Sequence, residues 1–195
     1  MKGFEQRVHR YSGVAITLHW AIAILIIFAV GLNWAWSNEW LPDAKVRSAI
    51  DWHKSIGMLV LGLAILRLLW RFGHKPPALP TKFRKWEAHL SATTHVLLYL
   101  VMFSMPLSGW IMDSAWKDAA THPMHLFGSG VEWPRLGFIM DMDPATKNRI
   151  HDIFGAMHGL VAKLLYALFA LHVGGALKHQ FLDREPELQR MWPGR

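Results

Sequence analysis

His158 and His172 lie fourteen residues apart in one unbroken apolar stretch, IFGAMHGLVAKLLYALFALHVGGALK, residues 153–178. Fourteen residues are two heptads, so both imidazoles face the same side of a helix in a left-handed bundle. They are separated by about 21 Å along the axis. A hydrocarbon core is roughly 30 Å thick, so such a helix holds one histidine near each membrane face. Two further apolar stretches supply partners at matching depths. His19 stands about six residues inside the start of the first, and His172 about six from the end of the fourth. His53 opens the second stretch, and His158 stands near the start of the fourth. Paired neutral imidazoles suit a six-coordinate haem iron that carries electrons, because no axial position is left for oxygen. The expected metal sites are therefore an inner pair, His19 with His172, and an outer pair, His53 with His158.

Other residues carry competing readings. Arg67 follows His53 by fourteen residues and shares its face at the depth of the inner pair, where it would hold a haem propionate or snorkel to the headgroups, as Arg71 is expected to do. His95 reaches the inner depth and rivals His19, its alternative role being a hydrogen bond to a propionate or a quinone. His89 is on another face. His151 and His179 continue the heptad of the fourth stretch but are 28 residues apart, about 42 Å, and belong at the interfaces. His9, His74, His122 and His125 fall in connections, and HPMH (residues 122–125) lacks further ligands at zinc spacing. Gly57, Gly159, Gly174 and Gly175 stand near the histidines, where they would make room for a flat macrocycle or serve helix packing. Asp113 and Asp152 read as solvated helix caps, or as proton acceptors for a quinol. Lys163 is mid-span on a face away from His158, and must snorkel, line a wet cavity or meet an acid.

The elements that position these groups are membrane spans. The 195 residues are 52% hydrophobic and 18% charged, and the apolar residues come in runs of about twenty. The spans are expected at 13–36, 51–72, 89–112 and 153–178, with Trp34 and Trp36 as an interfacial belt and a capping loop at 113–148 containing a short helix. Pro106 and Gly109 are expected to kink the third span. No cleavable signal pattern is evident. The absence of cysteine excludes disulfides, cysteine-ligated clusters and c-type haem attachment. Lysine and arginine gather before the first span (Lys2, Arg7, Arg10), after the second (Arg71, Lys75, Lys82, Arg84, Lys85) and after the fourth (Lys178, Arg184, Arg190, Arg195), which places both termini in the cytoplasm. The net charge of +7 is then a matter of topology and anionic lipid, and nucleic acid is excluded as a partner. The expected fold is an all-α integral membrane four-helix bundle, one domain over residues 1–195.

Four strings carry a likeness to a known family: ITLHW (16–20), HKSIGMLVLGLAILRLLWR (53–71), HVLLYLVMFSMPLSGW (95–110) and LHVGGALKHQFLDRE (171–185). In this order and spacing the chain resembles the bacterial cytochrome b561 family, although the third loop does so only at Leu126–Gly128. The resemblance implies a four-helix inner-membrane protein with two haem b groups that exchanges electrons with quinones. It also implies His19, His53, His158 and His172 as axial ligands. The expected function is transmembrane electron transfer between the quinone pool and a second donor or acceptor. The alternatives are a superoxide–quinone oxidoreductase, the haem b anchor subunit of a dehydrogenase or hydrogenase, and, from another class, a haem-free metal or proton transporter.

Overall fold

The computed structural model describes residues 10–78 and 84–194. Lys2, Arg7, His9, Lys82 and Arg195 lie outside the described residues. Four long helices dominate: α1 (Gly13–Ser37), α2 (Asp43–Gly73), α3 (Lys85–Ser114) and α5 (Pro144–Leu177). A π-helical turn at Lys178–Leu182 prolongs α5. Two short helices, α4 (Gly137–Met140) and α6 (Glu187–Met191), belong to the outer loop and the C-terminal tail. Each long helix is long and apolar enough to cross a membrane. Their lipid side is apolar, with Ile24, Leu66, Leu100 and Leu160 more than half exposed, as expected where the solvent is hydrocarbon and helices gain little by hiding leucine.

Local chemistry sets the helix ends. Ser12 caps α1 by accepting from the Ala15 amide at 3.3 Å. Asp143 accepts from the amides of Ala145 and Thr146 at 3.0 Å each, and Pro144 occupies the first turn of α5, where its missing N–H is not needed. α2 begins eight residues before the expected span, immediately after Pro42, so residues 43–50 are helix and not loop. His53 consequently sits inside a regular helix, which fixes its direction. Pro106 lies within an uninterrupted α3, its Cβ 4.0 Å from where a Cβ on Gly57 would stand, an ordinary van der Waals contact. The outer loop holds a 3₁₀ turn at Leu126–Gly128 as well as α4, one more piece of helix than expected.

Helix α1 packs along α2 and α3 along α5, so the bundle is two hairpins joined where α2 meets α3. One core cluster unites Ile22, Ile56, Val60, Ala64 and Met102. A second joins Val101, Leu165 and Leu168, with Ile26 and Val30 of α1 reaching it as side chains. At one end the two described termini meet: the Tyr11 amide donates to Arg190 O at 3.1 Å, and Trp20 Nε1 to Met191 O at 2.7 Å. Arg190 also donates to Pro77 O and Ala78 O, fastening the α2–α3 connection to the tail. Lys178 bridges Glu87 at 2.6 Å and Asp183 at 2.7 Å, and its ammonium holds the Asp183 carboxyl below the usual carboxylate range.

Candidate functional site

The four histidines singled out by depth come together as two pairs. His19 of α1 and His172 of α5 have ring centres 6.0 Å apart. His53 of α2 and His158 of α5 are 6.3 Å apart. Each pair therefore spans the seam between the hairpins, and α5 contributes to both. Two metal–nitrogen bonds of about 2 Å, plus the half-width of each ring, put the centres of a trans bis-imidazole pair about 6 Å apart. Both pairs fit that spacing.

The outer pair is oriented through its other nitrogens. His53 Nδ1 lies 2.9 Å from Ala29 O. His158 Nδ1 lies 3.1 Å from Met105 O, with Ser108 Oγ also at 3.1 Å. An imidazole that donates its Nδ1–H to a carbonyl carries its lone pair on Nε2, the arrangement usual for metal-ligating histidine. Ser108 is fully buried, so these partners are built into the core of α3. Trp36 lies edge-on to His53, 5.2 Å between centres. A Cβ on Gly109 would stand 3.3 Å from His158 Cε1. Gly109→Leu is thus expected to displace His158 and disturb the outer site alone. Were each pair to hold one haem, reduced-minus-oxidised spectra should show about half the signal of the unsubstituted protein.

At the inner level a third imidazole is present. His95 lies 5.2 Å from His172, centre to centre, with its Nδ1 2.7 Å from Ser91 O. His19 Nδ1 faces Arg67, 2.9 Å from its guanidinium nitrogen. Arg67 and Arg71 both lie about 6 Å from the Tyr99 ring, at 5.8 and 5.9 Å. Arg67 therefore points into the inner site and not away from it.

Several sequence expectations change here. Asp113 is no solvated cap: it is buried and binds Lys54 at 2.6 Å and Arg135 at 2.8 Å. Arg135 comes from the outer loop and also donates to Ala119 O and His122 O, so this ion cluster clamps the loop over α2 and α3. Lys54 directly follows His53 on α2, and its partly buried ammonium finds its carboxylate in Asp113. Gly159 and Gly174 do not face the histidines; a Cβ at either would meet open space on the exposed side of α5. Gly109, on the neighbouring helix, is the glycine that gives His158 room. His151 Nδ1 lies 3.1 Å from Met112 O, near the C-terminal end of α3. His74 stacks on Trp70 at 3.8 Å, and His122 lies against Trp116 at 5.3 Å. Among the described residues no group of three or more His, Cys, Asp or Glu is arranged to hold a bare metal ion.

Four membrane-spanning helices with histidine pairs at two depths define a class, that of membrane b-type cytochromes. The chain belongs to the prokaryotic cytochrome b561 family, whose pattern it matches over residues 10–194. It is 30% identical over 190 residues to cytochrome b561 homolog 2 of Escherichia coli (strain K12), covering 96% of this chain and 94% of that one. A probable superoxide oxidase, CybB, of Yersinia pestis is 27% identical over 188 residues, covering 94% and 96%. Cytochrome b561 homolog 1 of Escherichia coli (strain K12) is 24% identical over 190 residues, covering 96% and 99%. The protein is accordingly a multi-pass electron-transfer protein of the bacterial inner membrane, in a family whose cofactor is haem b.

Proposed function

We propose that this protein, a single domain over residues 1–195, carries electrons across the membrane between the quinone pool and a second redox partner, using two haem b groups. The single observation behind this reading is the pairing of His19 with His172 and His53 with His158 across the hairpin seam, at two depths. His19, His172, His53 and His158 are the axial ligands in this account. Haem b at both levels supplies one-electron carriers near the two faces, and α5 sets their separation. His95 is the weaker inner ligand. Its hairpin partner α5 packs directly on α3, its spacing to His172 is about 1 Å short of a trans pair, and both rings sit on one side of the seam. Lysine and arginine near the described ends support termini in the cytoplasm.

Arg67 follows from proton bookkeeping. A neutral imidazole bound through Nε2 carries its proton on Nδ1. A guanidinium has no acceptor, so the Arg67–His19 hydrogen bond and ligation by His19 exclude each other. Ligation frees Arg67 to bind a carboxylate, and a propionate at that depth is the natural one. Its positive charge would then favour the reduced state of a haem held there, which carries one positive charge fewer than the oxidised state. Arg67→Met is expected to lower the inner midpoint potential by about 50–100 mV, from a charge several ångströms away at an effective dielectric near 20. Redox titration would check this, with the outer potential unmoved.

The test of quinone exchange is stopped-flow reduction of the purified protein by a short-chain quinol. Rapid reduction of haem b to a quinol-dependent plateau supports it. Reduction no faster than by an equipotential water-soluble donor would overturn it. A second reading has its own support, the likeness to the Yersinia pestis protein named a probable superoxide oxidase. In that reading superoxide gives up one electron at the outer face and leaves as oxygen, and two such electrons with two protons reduce one quinone to quinol. Superoxide-dependent quinone reduction in proteoliposomes separates the two.

A further inference from the structure

Lys163 stands midway between Pro144 and Leu182, the ends of the fourth membrane-crossing helix, and it is exposed. It lies five residues from His158 and nine from His172, about 7 and 13 Å along the axis, between the two histidine levels. At 100° per residue it points about 160° away from Leu165 and about 140° from Leu168, the two α5 residues buried against α3. Its ammonium therefore faces hydrocarbon. No ion pair or hydrogen bond reaches it from the described residues. Headgroups lie roughly 15 Å away from mid-bilayer, farther than one lysine stem extends. A charged side chain so placed is costly unless it is paired.

The surface around it is shaped for close approach. Ala156, Gly159, Ala167, Ala170 and Gly174 share the exposed side of α5 with Lys163, and space outside Gly159 and Gly174 is open. Small residues in such a row let a second helix come near, and Lys163 then sits at the centre of the contact. We propose that this face of α5 docks a transmembrane helix of a different protein that carries a carboxylate at mid-bilayer depth, paired with Lys163. Charge selects the occupant. A second copy packed through α5 in the same orientation would set Lys163 against Lys163. The acidic residues of the spanning helices, Asp43, Asp51, Glu87, Asp113 and Asp152, stand toward helix ends, so among the described residues no other face offers a carboxylate at that depth. The inference is independent of which redox partner the haems serve.

The experiment uses the full-length holoprotein in liposomes, with an acceptor dye on its C-terminal tail, and donor-labelled synthetic leucine–alanine transmembrane peptides. The peptides carry alanine or glycine at every fourth position and Glu, Gln or Leu at the midpoint. Energy transfer against peptide mole fraction is expected to show at least tenfold tighter association of the Glu peptide than the Leu peptide. Lys163→Met should erase that preference, and Ala167→Leu should weaken association at least fivefold, while haem content stays at the wild-type value in both. Equal binding of the three peptides to wild type overturns the proposal, as does an undiminished Glu preference in Lys163→Met. Self-association of the labelled cytochrome that Ala167→Leu abolishes would also overturn it, in favour of a homodimer through this face.

Discussion

His172→Ala is expected to leave one haem per chain in place of two, with the remaining haem spectrally normal, and His158→Ala should do the same with the other haem retained. Both residues come from α5, but each completes a separate pair: His172 with His19 at 6.0 Å and His158 with His53 at 6.3 Å. In this account the loss of one imidazole leaves the haem at that level one protein ligand short, while the other histidine pair keeps its geometry. The partner substitutions, His19→Ala and His53→Ala, should reproduce these two phenotypes in turn. The double variant His158→Ala with His172→Ala should bind no haem and carry no electrons. His95→Ala is the control, and it should keep both haems. Loss of a haem in His95→Ala, with retention in His19→Ala, would make His95 the inner ligand.

Asp113→Asn should destabilise the protein by about 3–5 kcal/mol, because it strands the buried Arg135 guanidinium and the partly buried Lys54 ammonium. Lys54 and Arg135 both rely on this carboxylate, and the Arg135 and Asp113 side chains are only 5% and 7% exposed. The asymmetry between breaking and replacing a buried pair gives the companion result. Asp113→Asn combined with Lys54→Met and Arg135→Met should recover most of the loss, since the penalty belongs to the unpaired charges. Thermal unfolding in detergent, followed by the haem absorbance, would measure both. The loop anchored by Arg135 also carries Trp133, which packs 5.7 Å from Trp110 of α3. Tryptophan emission should therefore shift to the red in the single variant and return in the triple one. The outer haem signal should broaden with it, while the inner one stays sharp.

Depth was the readable quantity in this sequence, because in a bilayer a residue count along a helix is a coordinate. Counting residues from the ends of apolar runs put His19 and His172 at one level and His53 and His158 at another, left His95 as a rival at the inner level, and pushed His151 and His179 to the boundary. Rotation about each helix was harder to read. Gly159 and Gly174 neighbour the histidines in sequence, yet turn to the opposite side of α5, and the glycine that opens space for His158 comes from α3. Cross-chain polar contacts were invisible for the same reason. Nothing in the spacing of Lys54, Asp113 and Arg135 says that they meet, since their meeting depends on how the outer loop folds back. Helix starts outside the bilayer were also underestimated: α2 begins after Pro42 and α5 after Asp143, well before hydrophobicity rises, because the fixed φ of Pro42 and the side-chain cap of Asp143, not burial, mark where those helices begin.

The most direct test of two haems on one shared helix is the ratio of haem to polypeptide in purified wild-type protein, taken from the pyridine haemochrome spectrum and quantitative amino-acid analysis. A ratio of two, with both haems fully reducible and unreactive toward carbon monoxide, is the result expected of two bis-histidine sites. A ratio of one, or a preparation with no reduced-minus-oxidised haem b signal, would contradict it.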